Sequence, residues 1–95
     1  MEDTMPKYVI ERDLPGAGQL TAEELQGISQ KSVEVLDSLA GRAQWLESFV
    51  TDDKIFCVYI ADEPATIEEH ARCGGFPVTA INQVGTVIDP TTAGV

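Results

Sequence analysis

The stretch that decides the fold is QWLESFVTDDKIFCVYIA, residues 44–61. Residues 44–51 are rich in aromatic and β-branched side chains, which favour a strand, and residues 54–61 are apolar almost throughout. Asp52 and Asp53 separate the two runs and are typical of a tight turn. A connection this short predicts an antiparallel hairpin.

A predicted strand and a predicted helix precede this hairpin. The apolar centre of residues 7–13, followed by breakers at residues 14–18, is typical of a strand. Thr21 and Glu24 have the spacing of a capping box. The apolar positions that follow recur every three or four residues to about Gly41, which predicts an amphipathic helix.

A second helix and a last strand follow the hairpin. Pro64 is tolerated in the first turn of a helix that ends at Gly74 and Gly75. Residues 81–89 are predicted as a strand that Pro90 terminates. The order β-α-β-β-α-β, with right-handed crossovers, predicts an α+β, ferredoxin-like sandwich. In this fold two helices cover one face of a four-stranded antiparallel sheet, and the first and third strands are central.

The length and charge of the chain limit what it can do. We expect one domain over residues 5–90, between a flexible extension at residues 1–4 and a tail at residues 91–95. The net charge is −10, so nucleic acid and anionic membrane surfaces are poor partners, whereas cations are attracted. No apolar run approaches the ~20 residues that cross a bilayer, and we recognise no secretory signal. Cys57 and Cys73 have no metal-binding spacing and are expected to be reduced thiols in the cytoplasm.

The sheet is predicted to be apolar on both faces. Side chains alternate between the two faces of a strand, yet both sets of alternating positions in residues 54–61 are apolar. Two helices cover only one face. The other face is expected to expose a patch larger than monomers usually tolerate, formed by Trp45, Phe49, Ile55 and Tyr59. We therefore expect a homodimer in which sheet face packs on sheet face. A monomer with a ligand on that face is the alternative.

Two carboxylates are expected on the same uncovered face. The predicted register places Glu11 and Glu47 beside Trp45, Cys57 and Tyr59. Carboxylates among aromatic side chains are costly unless they are paired, protonated or bound to a cation. Either Glu47 lies in water at the sheet edge and Glu11 pairs with a nearby lysine, or the two glutamates belong to a functional polar cluster.

The single histidine, His70, has three interpretations. It lies on the apolar side of the second predicted helix with Ile67 and Ala71. It is a core residue with a satisfied hydrogen bond, a ligand for nickel, copper or zinc, or a general base. The sequence contains no Ser-His-Asp arrangement, HExxH motif or phosphate-binding glycine loop that would decide among them.

Several segments resemble a known family. They include KYVIER at residues 7–12, WLESFVTDDK at 45–54, EHAR at 69–72 and TVIDPTT at 86–92. They resemble small bacterial proteins of an uncharacterised-domain family whose best-described type is a nickel-binding, nickel-responsive actinobacterial protein. The similarity covers residues 5–92. The resemblance implies a ferredoxin-like homodimer that binds nickel through nitrogen and oxygen ligands, and the candidate ligands in this sequence are His70, Glu11 and Glu47.

Three functions are open on the sequence alone. The resemblance and the acidic charge favour a non-enzymatic homodimer that binds Ni(II) for storage, buffering or tolerance and uses no organic cofactor. Its site would be oxygen-rich and completed by water or by the partner subunit. The alternative is a dimeric α/β-barrel enzyme without a cofactor, or a small-molecule binder, with a cleft lined by Trp45, Glu47, Tyr59 and His70. The third is a structural or interaction module.

Overall fold

The fold is a four-stranded antiparallel sheet with two α-helices on one face. The computed structural model describes residues 5–94, so the extension predicted at residues 1–4 lies outside the described part of the chain, as does Val95. The elements in chain order are β1 (Lys7–Asp13), α1 (Ala22–Ser38), β2 (Ala43–Val50), β3 (Lys54–Ala61), α2 (Pro64–Gly74) and β4 (Ala80–Gln83), with short 3-10 turns at Ala17–Gln19 and Pro90–Ala93. The sheet order is β2-β3-β1-β4. This order confirms the predicted ferredoxin-like fold with β1 and β3 in the centre.

Strand β4 is shorter than predicted. It ends at Gln83 and not at residue 89. Val84 still donates its backbone N–H to the carbonyl of Lys7, at 2.8 Å. Lys7 is the first residue of β1, however, and Pro6 before it has no N–H with which to continue the ladder. The chain beyond Val84 therefore leaves the sheet because it has no partner strand.

The two faces of the sheet carry different residues from those predicted. The expectation that Trp45, Ile55 and Tyr59 lie on the uncovered face is wrong. Ile55 and Tyr59 are buried under the helices, and Trp45 lies opposite Tyr59 on the same, covered face. Phe49 lies on the uncovered face as expected, opposite Phe56. Since both sets of alternating positions in β3 are apolar, hydrophobicity alone could not show which set the helices cover.

A β-bulge between Trp45 and Glu47 explains the misplaced neighbours of Glu47. Residues two apart share a face in a regular strand, so Glu47 was expected beside Trp45. The extra residue in the bulge reverses the alternation. As a result Trp45 lies opposite Tyr59 on the covered face, whereas Glu47 lies opposite Val58 on the uncovered face. Cys57, also expected beside Glu47, is on the covered face.

The core lies between the covered face and the two helices. Its largest fully buried side chains come from β1, the end of α1 and the inner side of α2, and they are Tyr8, Ile10, Leu39, Ile67, His70 and Thr66. Helix α2 ends at Gly74 and is capped by Gly75, whose φ of +73° is the left-handed conformation that glycine adopts without strain. The following backbone N–H, that of Phe76, bonds back to the carbonyl of Ala71 at 2.8 Å. This turn aims Phe76 back toward the sheet.

Removing the cap of α1 should destabilise the protein. Thr21 Oγ1 accepts the backbone N–H of Glu24 at 3.1 Å, and Glu24 Oε1 accepts that of Thr21 at 2.9 Å. Thr21→Ala should lower the free energy of unfolding by about 1 kcal/mol, or the melting temperature by about 4–8 °C. Thermal unfolding followed by circular dichroism measures this. Thr86→Ala, in an exposed segment outside the helices and strands, is the control, and an equal shift in both variants would contradict the capping role.

Candidate functional site

The uncovered side of the sheet, which we call the open face, has an apolar centre. Val9 lies opposite Val58 and Phe49 lies opposite Phe56, with Ile60 further along β3. Phe49 is 53% exposed, and the other four are partly exposed. Neighbouring apolar side chains in the middle of a sheet are thus in contact with water in the single subunit, which is typical of a surface that binds a partner.

The carboxylates of Glu11 and Glu47 lie on the open face, on the two sides of β3. Lys54 Nζ is 2.7 Å from Glu11 Oε2 and 2.5 Å from Asp13 Oδ1. The hydrogen bond from Lys54 lowers the pKa of the Asp13 carboxyl, and the two carboxylates raise the pKa of Lys54. Glu47 is exposed at the edge strand and forms no ion pair within residues 5–94. In the single subunit Glu11 is thus paired with a lysine and Glu47 lies in water. Whether the two glutamates also form a functional polar cluster stays a prediction.

The imidazole of His70 lies on the other side of the sheet, in the core. It is 1% exposed, and its ring centroid is 5.2 Å from that of Tyr59 and 5.3 Å from that of Phe76. Ser32 Oγ is 3.1 Å from Nε2, whereas Nδ1 is buried without a hydrogen-bond partner in the described residues. Burial, and after it the positive charge of Arg12, lower the pKa of His70 to about 4. The imidazole is therefore neutral at pH 7.

The three predicted metal ligands do not meet within one subunit. The sheet separates His70 from Glu11 and Glu47, which lie on its opposite face. Among residues 5–94, no three His, Cys, Asp or Glu side chains are close enough together to hold a metal ion. A metal site built from these residues therefore needs further donors, from water or from a second subunit.

A cleft of about 630 Å³ opens between the covered face of the sheet and the first half of α1. Of the four residues predicted to line a cleft, Trp45 and Tyr59 do so. Glu47 lies on the open face, and His70 lies outside the lining of the cleft, in the core. The predicted pocket is thus assembled only in part, and without either of its expected acid–base groups.

Arg12 is a functional candidate that the sequence analysis missed. It lies in the wall of the cleft and is 4% exposed. Its Nε is 3.3 Å from Cys57 Sγ, its Nη1 donates to the carbonyl of Pro77 at 2.8 Å, and its Nη2 has no partner in the part of the chain that the structure describes. The sequence did contain a signal, since Tyr8, Ile10 and Arg12 alternate along β1 and so share its buried face.

A comparison with known protein families identifies the family of this chain. The profile of a family described as "Nickel responsive protein SCO4226-like" matches residues 8–84, from β1 to just beyond β4. The chain belongs to this family. The expected family resemblance is thereby confirmed, and the description of the SCO4226-like family connects it with nickel. Neither comparison favours the alternative of a cofactorless enzyme.

A solved structure shows that the SCO4226-like fold is shared. The crystal structure of SCO4226 from Streptomyces coelicolor A3(2) matches with a TM-score of 0.73, covering 86% of this chain and 99% of that chain. The sequence identity is 12%, so this likeness shows the fold alone. Among curated proteins, none matches the chain. Neither α-helix in residues 5–94 has the length and apolar character of a membrane-spanning helix.

Proposed function

We propose that this SCO4226-like protein is a cytoplasmic homodimer that binds nickel for storage, buffering or tolerance. The observation that carries the proposal is the open face, where apolar side chains lie between the carboxylates of Glu11 and Glu47 in a chain of a nickel-responsive family. The net charge of −10 attracts divalent cations. The free thiols of Cys57 and Cys73 are consistent with a reducing compartment.

A second copy of the chain is the partner that we propose for the open face. An isologous dimer brings the same surface from both subunits together, so the apolar row of Val9 and Val58 would pack on its own counterpart. Burying that row removes apolar area from water at about 25 cal/mol per Å². Of the charged groups on this face, Lys54 lies at the start of β3 and Glu47 lies on the edge strand β2, beside Val58. Both would remain at the rim of the interface, where charges are tolerated.

In this proposal Glu11 and Glu47 are the nickel ligands on the open face. Face-to-face pairing would bring the carboxylates of two subunits to one interface, and water would complete an oxygen-rich coordination shell. Lys54 competes with the metal for Glu11, because its Nζ lies 2.7 Å from Oε2. His70 is a separate candidate ligand, since it lies across the sheet from both glutamates and would bind nickel at a different position.

Calorimetric titration of nickel into untagged protein tests the proposal. Glu47→Gln should weaken nickel binding by at least about tenfold, or about 1.4 kcal/mol, because the amide has no charge. Glu68→Gln, an exposed glutamate on α2 and so away from the open face, should leave the affinity unchanged. Lys54→Met should strengthen binding, because it frees the Glu11 carboxylate from its ion pair.

Two results would contradict the proposal. One is the absence of saturable nickel binding by the untagged protein up to about 1 mM, a free energy weaker than about −4 kcal/mol. The other is an equal loss of nickel affinity in Glu47→Gln and Glu68→Gln. This result would mean that the net negative charge of the chain, and not a site on the open face, attracts the metal. His70→Ala tests whether His70 is a nickel ligand. Unchanged nickel affinity and stoichiometry in this variant would exclude His70 from the ligands.

A further inference from the structure

The guanidinium group of Arg12 is a buried positive charge without a counter-ion. No carboxylate in residues 5–94 lies within ion-pair distance of it. The chain has 16 acidic and only 6 basic residues, so a partner is missing in spite of abundant carboxylates. Its neighbours are the sulfur atom of Cys57, the carbonyl of Pro77, the phenol of Tyr59 and the ring of Phe76, whose centroid is 5.6 Å from Cζ. Burying an unpaired charge costs several kcal/mol.

The neighbouring side chains do not supply the missing negative charge. Burial raises the pKa of Tyr59, so the phenol stays protonated at neutral pH. Ser32 Oγ lies against the neutral His70, at 3.1 Å from Nε2. Two buried side-chain atoms in the described residues have no hydrogen-bond partner, and they are Arg12 Nη2 and His70 Nδ1. Both belong to the group formed by Arg12, Tyr59, Ser32 and His70. An acceptor with negative charge would satisfy the guanidinium group.

The remainder of the cleft is mostly apolar, and its other polar lining residues include Glu24, Ser29, Lys31, Ser32 and Ser48. Its walls beyond Arg12 include the side chains of Leu14, Leu20, Leu25, Ile28 and Val50. Leu25 and Ile28 lie on the inner side of α1 and are only half-buried, because the cleft lies beside them. The volume of about 630 Å³ falls within the range of about 300–1,000 Å³ that small-molecule sites occupy. Such a site would accommodate the apolar body of a ligand.

Gly27 contributes to the open volume of the cleft. It lies in α1 at the cleft wall, and a Cβ atom added to it would meet no atom within 4 Å. Glycine inside a helix costs about 1 kcal/mol relative to alanine. A variant with a larger side chain at this position should therefore fold readily. The added side chain would reduce the space between α1 and the sheet.

We propose that the cleft binds a small hydrophobic monocarboxylate, an acid with an aliphatic or aromatic body. Its carboxylate pairs with the guanidinium of Arg12 through Nη2, the nitrogen that has no partner in the described residues, in a charge-assisted hydrogen bond. Its apolar body lies against Trp45 and the inner side of α1. The ring of Phe76 covers the guanidinium in the free protein, so it turns aside as the carboxylate enters. This site lies across the sheet from the open face and is independent of nickel binding.

The fluorescence of Trp45 reports on this site, because Trp45 is the only tryptophan and lines the cleft. Octanoate and octan-1-ol, titrated in the presence of a metal chelator, differ in charge but share an apolar chain. Octanoate should give a saturable change with an affinity at least about tenfold higher than that of octan-1-ol. Arg12→Met should remove this preference and bring the two affinities within about twofold.

Two further variants serve as controls. Lys31→Met removes an exposed cation that also lines the cleft and should leave the preference for octanoate within about twofold of the wild type. Gly27→Leu fills the cleft and should weaken binding of both probes. Equal affinities of octanoate and octan-1-ol for the wild type, no saturable change with octanoate, or loss of the preference in Lys31→Met would each overturn the proposal. If Arg12→Met does not fold, the relative affinities of octanoate and octan-1-ol for the wild type still test the proposal. Because the chelator removes metal ions, this result does not depend on whether the protein binds nickel.

Discussion

Val58→Lys should convert the proposed dimer into a monomer. Val58 lies in the central strand β3, opposite Val9 in the middle of the open face. In the proposed dimer each subunit loses the free energy of burying one valine, about 1.5 kcal/mol or more. Because the interface is two-fold symmetric, the loss occurs twice. About 3 kcal/mol corresponds to dimerisation that is weaker by more than about a hundredfold. Light scattering on size-separated protein at micromolar concentration measures the change in mass.

Val33→Lys is the matched control for this substitution. Val33 is 48% exposed on α1, on the side of the sheet away from the open face, so its replacement should leave the mass of the dimer unchanged. Circular dichroism shows whether each variant is folded, and Phe56→Lys tests the same surface should Val58→Lys fail to fold. A wild type that is a monomer at micromolar concentration, or a folded Val58→Lys that remains a dimer, would refute the open face as the interface.

The free energy of unfolding should fall steeply between pH 6.5 and pH 4 because of His70. Its pKa is lowered from 6.5 to about 4 in the folded protein, so the unfolded chain binds one more proton in this window. Stability is therefore fully present above pH 6.5 and is lost as the pH falls. At about 1.4 kcal/mol per pKa unit, the loss amounts to about 3 kcal/mol near pH 4. The charged group that faces His70 is Arg12 on β1.

Urea unfolding at a series of pH values from 7 to 4 measures this contribution. Other groups also titrate near the lower end, because hydrogen bonds lower the pKa values of Asp13 and Asp89 in the folded protein. His70→Gln isolates the histidine, because glutamine does not titrate and leaves those carboxylates in place. The difference in the free energy of unfolding between wild type and His70→Gln should shrink as the pH falls from 6.5 to 4. Parallel curves for the two proteins would show that the imidazole is not the group responsible.

Local sequence signals predicted the elements of the fold. The Thr21 cap, Pro64 in the first turn of α2 and the glycine at residue 75 each act on their neighbours in the chain, and each lies at the expected boundary in the structure. The hairpin over residues 44–61 follows from a short polar turn between two strand-forming runs. The end of β4 could not be predicted in the same way, because it depends on where β1 begins.

The site was predicted less completely than the fold. The register correctly placed Glu11 and Glu47 on one face, and the ion pair of Glu11 with a lysine was one of the interpretations considered. The neighbours expected around them were wrong, because the bulge after Trp45 reverses the alternation of β2. Arg12 was overlooked, since a basic residue near the end of a strand is ordinarily solvated.

The chain's own patterns specify which segments are helices and strands and the order in which they follow one another, because caps, turns and periodicity act over a few residues. Packing of distant segments decided which face of β3 the helices cover, where the imidazole of His70 lies, and that the guanidinium of Arg12 is enclosed. These outcomes depend on strand register, on one bulge and on the distance between α1 and the sheet. Alternation along β1 does place Arg12 on the same face as Tyr8 and Ile10. That the helices cover this face is set by contacts between segments far apart in the chain, which no local pattern encodes.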